Sequence, residues 1–320
     1  MNIIKKNGKI YIEDETKELN LLLMKAPTNF SIINNTNEVV SYFNQVNAAI
    51  NAENFHGILV FELEGVKNIT ADAVMYMNAM AINSLSANLI NKAVLHFPKS
   101  SKCKGFLKRC GLGQYLSDKK GNLIETDKYY TIVGGKKADV DRIREIGLFT
   151  MEKLGIEKKD LDFITSSFVE LMNNTEQHAY DKNMDKLWYV FIEDTKKTVK
   201  YTFLDTGKGI PETMRKTFID DFIPIAVENH SYFIFEALKG NVPRSSTAQV
   251  YRNTGLPEIY RYYREGKLSK LKIISCRGIC EFFDSNRRNP KLLNMNTSFC
   301  GTLFTWEVEK LWKELVIWLK

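Results

Sequence analysis

Long apolar runs are what this sequence most clearly lacks. No stretch of its 320 residues approaches the roughly 18 consecutive apolar residues that a membrane-spanning helix requires. The opening segment, MNIIKKNGKIYIEDE, is charged and has no apolar core of the kind found in secretory signals. These absences lead us to expect a cytoplasmic protein without a membrane anchor.

Cysteine is also scarce, and its distribution argues against a disulfide-rich or zinc-binding protein. The five cysteines are an odd number in a long chain, which does not fit a disulfide framework. Cys276 and Cys280 have CxxxC spacing, whereas structural zinc sites usually present pairs with CxxC-type spacing. We therefore expect reduced thiols and no structural zinc.

Apolar and cationic residues, by contrast, are plentiful. The chain is 44% hydrophobic and 26% charged, which excludes disorder for most of its length, and 320 residues correspond to about two domains. Its 45 Lys and Arg residues against 38 Asp and Glu residues give a formal net charge of +7. A surplus of this size permits an anionic partner but does not point to a nucleic acid.

The first part of the chain alternates between strands and helices. An apolar strand within 56–66 is followed by a helix at 70–88, a strand at 93–97 and a basic helix at 100–110. The joins are short, which favours a small parallel sheet with helical crossovers. The polar, glycine-containing residues 119–137 then indicate a linker.

The second part has a different order, with long helices first and paired strands after them. We predict helices at 139–154, 159–180 and 253–266, and strands at 187–193, 199–205, 271–276, 279–283 and 299–308. Residues 210–250 have weak periodicity and are predicted to be irregular. The last residues, 308–320, carry the apolar stripe of an amphipathic helix.

Two segments of the second part carry chemistry. Glu170 and Asn174 are one turn apart on a predicted helix, where a carboxylate and an amide oxygen can hold a hard cation and a water molecule. Asp205 ends a predicted strand, and Gly207 and Gly209 follow it at alternate positions, so backbone can approach a flat ligand closely. An ordinary polar helix face and a plain turn are the alternatives for these two segments.

Two further segments complete the pattern. Residues 252–256 (RNTGL) precede a predicted helix, and backbone N–H groups at a helix N-terminus beside an arginine suit a phosphate group. A capped helix explains the same residues equally well. Gly301 and Thr302 open an alternating strand near the end of the chain.

In this order and spacing, the four segments resemble the GHKL ATPase superfamily, which includes gyrase, heat-shock chaperones and histidine kinases. Glu170 and Asn174 match its N-box, residues 205–211 (DTGKGIP) match its first glycine box, and Gly301 with Thr302 matches its closing Gly-Thr motif. Residues 252–259 match the second glycine box only in part, because only Gly255 remains of the usual repeated glycines. The resemblance covers about 136–308.

The resemblance implies a site for ATP and Mg²⁺ in a Bergerat-type α/β sandwich. Asn174 would ligate Mg²⁺, and Glu170 would orient or deprotonate the attacking group. Asp205 would accept a hydrogen bond from the adenine amine beside Gly207 and Gly209, with support from Thr302. Residues 212–251 would form a lid, and the phosphates would contact Arg252, Asn253, Thr254, Gly255 and Leu256.

The first part of the chain resembles a STAS domain (sulfate transporter and anti-sigma-factor antagonist). The matching features are the ILVFELEGV strand, the loop at 68–72 that opens a helix, and the AVLHFP strand. That family can carry a phosphorylated Ser or Thr in this loop. Thr70 is the hydroxyl at that place here, whereas the usual Asp-Ser-Ser-Gly string is missing.

Together these features predict an N-terminal STAS-like α/β domain followed by a GHKL ATP-binding domain. The expected boundaries are a lead-in at 1–25, the STAS-like domain at 26–118, the linker at 119–137, the ATPase domain at 138–307 and a C-terminal helix at 308–320. The implied function is a Mg²⁺-dependent ATPase of signalling type. The alternatives are a protein serine/threonine kinase of anti-sigma-factor type and a non-hydrolysing, ATP-gated clamp. The expected partners are ATP, a regulatory protein and a second copy of the chain through the lid or the C-terminal helix, but neither nucleic acid nor membrane.

Overall fold

In the computed structural model the chain divides into two compact units, Met1–Ile132 and Val133–Lys320, and both mix helices with sheets. The division falls inside the segment 119–137. No helix in the described part of the chain is both long and apolar enough to cross a membrane. The structure describes residues 3–6, 9–12, 20–52, 55–110, 116–117, 133–158, 161–178, 187–218, 229–241 and 255–310.

The first unit is built on a parallel sheet with the strand order β3-β5-β7-β8. The strand β5 (GILVFE) is buried along nearly its whole length, as its continuous apolar sequence predicts. A short pair, β4 and β6, and an antiparallel hairpin, β1 and β2, accompany the sheet. The elements are β1 Ile3–Lys6, β2 Lys9–Ile12, β3 Asn20–Lys25, β4 Asn29–Phe30, α1 Thr36–Ile50, β5 Gly57–Glu62, β6 Asn68–Ile69, α2 Ala71–Ser86, β7 Lys92–His96, α3 Ser101–Arg109 and β8 Leu116–Ser117.

This sheet begins within the expected lead-in, at the apolar run 19–24, which the sequence allows as one strand. The strand β3 pairs with β5 in parallel from Asn20 to Lys25, so these residues belong to the sheet and not to a lead-in. The apolar residues of β3 lie in register with those of β5, and β3 is one edge strand of the sheet. Helix α3 begins at a Ser100 cap, whose side chain accepts a hydrogen bond from the backbone N–H of Cys103 (3.4 Å).

The second unit is built on an antiparallel sheet of five strands in the order β12-β13-β11-β10-β9. Helices α4, α5, α7 and α8 share one apolar core with this sheet. The elements are β9 Val133–Gly135, α4 Val140–Leu154, α5 Asp162–His178, β10 Trp188–Asp194, β11 Thr198–Asp205, α6 Ile210–Phe218, α7 His230–Lys239, α8 Gly255–Arg264, β12 Ser269–Phe283 and β13 Asn286–Glu309.

An aromatic cluster fixes α5 against the sheet. The rings of Tyr201 on β11 and Trp306 on β13 stack with centroids 5.4 Å apart, and the ring of Phe168 on α5 lies 5.2 Å from that of Trp306. All three side chains are fully buried. Aromatic burial of this extent dominates local packing energy, so the orientation of α5, and of Glu170 two residues beyond Phe168, is set by the core.

Three sequence predictions for the second unit differ from the structure. Residues 210–250 are not wholly irregular, because α6 and α7 form there, and α7 is capped by the Asn229 side chain and by Gly240 in the left-handed region. The two strands predicted at 271–276 and 279–283 are one strand, β12, with register shifts around Cys276. The strand β13 continues to Glu309, so the amphipathic helix predicted over 308–320 does not start at Val308. Residues 311–320 lie outside the described residues.

Candidate functional site

Asp205 occupies the last position of β11 and is buried, with 7% of its surface exposed. The backbone N–H of Gly207 donates to Asp205 Oδ1 (2.8 Å). Thr302 lies directly opposite on β13, and both its hydroxyl and its backbone N–H donate to the carboxylate. Burial raises the pKa of Asp205 to about 6, although these three hydrogen bonds act in the opposite direction. The result is a rigidly held acceptor in an apolar setting.

Two glycines let the loop after Asp205 lie directly on the neighbouring strands. Gly301 has φ +115°, and a Cβ there would overlap the backbone carbonyl of Asp205. Gly209 has φ +84°, and a Cβ there would lie 2.6 Å from Ser275 Oγ. Both positions therefore exclude side chains for conformational and for steric reasons.

Ser275 on β12 is a site residue that the sequence analysis missed. It is fully buried and lies in register with Thr302, with the two hydroxyl oxygens 3.2 Å apart. Its hydroxyl also donates to the Gly301 carbonyl (3.0 Å) and accepts from the backbone N–H of Ile210 (2.9 Å). A lone serine in an apolar strand was the available signal, but its pairing partner was not visible in the sequence. We call Asp205, Gly207, Gly209, Ser275, Gly301 and Thr302 the loop cluster.

Two thiols border the same loop. Cys276 Sγ donates to the Lys208 carbonyl (3.2 Å), and Cys300 Sγ lies 3.8 Å from the Gly207 carbonyl. Burial raises the pKa of the Cys276 thiol to about 12. None of the five cysteines forms a disulfide, as expected. These thiols are protonated hydrogen-bond donors that help to hold the loop.

Glu170 and Asn174 lie one turn apart on α5, as the spacing predicts. Glu170 is half-buried and faces the start of α8, since a Cβ on Gly255 would overlap its carboxylate. Burial raises the pKa of Glu170, and the nearby negative charge of Glu258 raises it further. Glu170, Asn174 and Gly255 are here called the helix cluster.

Asn174 has an unsatisfied side chain. Its Nδ2 is buried and has no hydrogen-bond partner among the described residues. A buried amide without a partner costs about 1–3 kcal/mol, and such groups in folded proteins call for a functional explanation. The amide oxygen and nitrogen exchange places by a simple flip, so this position suits either a donor or a metal-binding oxygen.

The loop cluster and the helix cluster meet through a small apolar group. Met214, Phe233 and Ala237 form a buried cluster, against which both Ile210 and Leu256 pack. Ile210 directly follows Gly209, and Leu256 directly follows Gly255. The two glycine segments, which are 46 positions apart in the sequence, thus converge on α6 and α7. Of the predicted phosphate-contacting residues, Arg252, Asn253 and Thr254 lie outside the described residues.

In the first unit, Thr70 occupies the N-cap position of α2 in an extended conformation. Its Oγ1 is buried and has no partner among the described residues. Two residues later, Asp72 is buried and its Oδ1 accepts from the backbone N–H of Ile32 (2.6 Å). The loop at 68–72 is therefore anchored by Asp72, and the Thr70 hydroxyl is not accessible for modification in this conformation.

Among the residues that the structure describes, the possible metal-ligand atoms of Glu62, Glu64 and His96 lie within 4.8 Å of one another. Glu62 and His96 are neighbours in register on β5 and β7, and Glu62 Oε2 shares a hydrogen bond with His96 Nδ1 (2.6 Å). The backbone N–H of Glu64 donates to the second Glu62 oxygen (2.9 Å). These contacts satisfy the Glu62 carboxylate without a metal ion.

No protein-family model matches the chain, and no curated protein shows significant sequence similarity to it.

Proposed function

We propose that residues 138–307 form a GHKL-type ATP-binding domain of the Bergerat fold, and that the chain is a Mg²⁺-dependent ATPase of signalling type. The observation that carries this proposal is the loop cluster, in which a buried Asp205 is held by Gly207 and Thr302 beneath a loop that excludes side chains. A buried carboxylate at a strand end is suited to accept a hydrogen bond from the exocyclic amine of adenine.

The helix cluster supplies the chemical half of the proposal. Glu170 is half-buried with a raised pKa, which suits a general base working near neutral pH. Asn174 offers an unsatisfied buried amide that would contribute an oxygen ligand to Mg²⁺. When bound, Mg²⁺ neutralises charge on the phosphates. The N-terminus of α8, beginning at Gly255, directs backbone N–H groups toward the same place, where they stabilise a phosphate.

In this proposal the first unit is a STAS-like regulatory domain through which a protein partner controls the ATPase. Its parallel sheet and the loop at 68–72, which the buried Asp72 anchors, support this assignment.

The fate of the terminal phosphate tests the proposed reaction. The full chain is incubated with γ-labelled ATP and Mg²⁺, and the label is followed into free phosphate and into protein. We expect free phosphate, formed in the wild type and not in Glu170→Gln. Label on protein would support a protein kinase of anti-sigma-factor type instead. Binding of ATP without either product would support a non-hydrolysing clamp.

A further inference from the structure

Ser275 contacts several other members of the loop cluster, although the proposed ATP site assigns it no role. Its single hydroxyl touches three different backbone or side-chain groups: the Gly301 carbonyl, the Thr302 hydroxyl and the Ile210 N–H. These groups belong to β13 and to the start of α6, while Ser275 itself lies on β12. One hydroxyl therefore ties together the three segments that surround Asp205.

We propose that Ser275 is a positioning residue that sets the acceptor geometry of Asp205 for the nucleotide base through the Thr302 hydroxyl. The proposal rests on the ATP-binding function proposed above. Ser275 does not contact the base itself, since it is fully buried behind Gly209, whose missing Cβ would lie 2.6 Å from its Oγ. It acts through its neighbours.

Thr302 and Ser275 each have one hydroxyl hydrogen, and this limits which group can donate to which. Thr302 has one hydroxyl hydrogen and donates it to the Asp205 carboxylate. The Thr302 oxygen is then free to accept, and Ser275 is the hydroxyl within reach at 3.2 Å. Ser275 also has one hydrogen, which it can share between Thr302 and the Gly301 carbonyl. When Asp205 is ionised, donation from Ser275 to Thr302 polarises the Thr302 hydroxyl and strengthens its bond to the carboxylate.

The second contact of Ser275 orients the loop. By accepting from the Ile210 N–H, its oxygen caps the first turn of α6 and fixes the end of the residues 205–210 loop. Without the hydroxyl, this partly buried N–H loses its partner, and Thr302 loses its donor. Both losses act on the position of the Asp205 carboxylate and not on the helix cluster.

A matched pair of serine variants tests this role. Ser269 lies on the same strand, is also buried, and donates through its hydroxyl to a β13 carbonyl, that of Glu307 (3.2 Å). Ser275→Ala and Ser269→Ala each remove one buried hydroxyl that bonds to β13, although Ser275→Ala also leaves the Ile210 N–H without its acceptor. We expect both variants to lower the melting temperature, but only Ser275→Ala should weaken ATP binding, by about tenfold, with kcat at saturating ATP unchanged.

The pathway through Thr302 is tested by a double-mutant cycle with Thr302→Val. If Ser275 acts through Thr302, Ser275→Ala weakens ATP binding less in the Thr302→Val background than in the wild type, and the loss that remains there comes from the Ile210 contact. An equal loss in both backgrounds would overturn the pathway through Thr302. If Ser275→Ala does not fold, Ser275→Cys keeps the shape with a weaker hydrogen-bonding group and should show an intermediate loss of affinity. Equal ATP affinity of the two alanine variants would overturn the role of Ser275 and leave the ATP site intact. A folded wild type that binds no ATP would overturn the proposed function, and this role with it.

Discussion

The loop cluster and the helix cluster are built in opposite ways. In the loop cluster, Asp205 already has hydrogen-bond donors from Gly207 and Thr302, and two glycines with positive φ hold the backbone close. In the helix cluster, the Asn174 amide lacks a partner and Glu170 lies beside a like charge, that of Glu258. The hydrogen bonds of a preformed site exist before the ligand binds, so its geometry serves recognition of the ligand. Unsatisfied groups form new hydrogen bonds or metal contacts only when the ligand binds. We infer that the loop cluster selects the ligand and the helix cluster acts on it.

The largest effect of a substitution is expected at the helix cluster, on the rate of ATP hydrolysis. Glu170→Gln removes the general base while keeping the size of the side chain, and general-base catalysis contributes about 100-fold or more to the rate. We expect kcat for ATP hydrolysis to fall by at least about 100-fold, with the Kd for ATP nearly unchanged. Glu176→Gln, on the same helix, is the matched control and should retain full activity. A Glu170→Gln variant that hydrolyses ATP normally would assign the base to another residue.

The second largest effect of a substitution is expected at the loop cluster, on the affinity for ATP. Asp205→Asn replaces an acceptor by a donor in a buried position, where an amine of the ligand also donates. A lost hydrogen bond to a charged group together with an unsatisfied buried donor amounts to about 3 kcal/mol, or about 100-fold in Kd. Calorimetry or equilibrium dialysis with ATP measures this change. Asp194→Asn, at the end of β10, serves as the control, and normal ATP binding by Asp205→Asn would refute the assignment of the pocket.

The same comparison shows what could be predicted from the sequence. The spacing of Glu170 and Asn174 and the strand end at Asp205 depend on local periodicity, and the structure has a helix and a strand end at those places. Ser275 depends on a register between β12 and β13 that includes shifts near Cys276. Such long-range pairing leaves no periodic signal in a single sequence, so the loop cluster could be predicted only in part.

The errors in the fold have related causes. Helix α7 is missed because His230–Lys239 is only ten residues long, and because Tyr232 and Phe235 place aromatic side chains outside the buried stripe of Phe233, Ile234, Ala237 and Leu238. The end of β13 was read as a helix because Val308 fits both an apolar stripe and a strand. In the structure the pairing of Val308 with Val199 decides in favour of the strand.

Ionisation of Asp205 should make folding stability and ATP affinity change with pH in opposite directions. Because the pKa of Asp205 is raised from 3.8 to about 6, the folded apo protein binds a proton between these values that the unfolded chain does not. Folding stability therefore falls as pH rises from about 4 to about 6, by about 3 kcal/mol in total. ATP binding rises over the same range, since the ionised carboxylate is the stronger acceptor. Both slopes should be absent in Asp205→Asn, as denaturant titrations and binding measurements at each pH will show.

The smallest effect is expected from removing the negative charge of Glu258 beside Glu170, and it should appear in the pH profile of kcat. Burial is the main cause of the raised pKa of Glu170, and Glu258 adds to it, although Arg261 donates to Glu258 (2.8 Å) and partly neutralises it. Glu258→Gln should therefore lower the pKa of Glu170 and move the acid limb of the kcat profile to lower pH by less than about one unit. Glu265→Gln is the matched control, because Glu265 also accepts from Arg261 (2.9 Å) but does not act on Glu170. An equal shift in both variants would mean that general surface charge, and not the helix cluster, sets the profile.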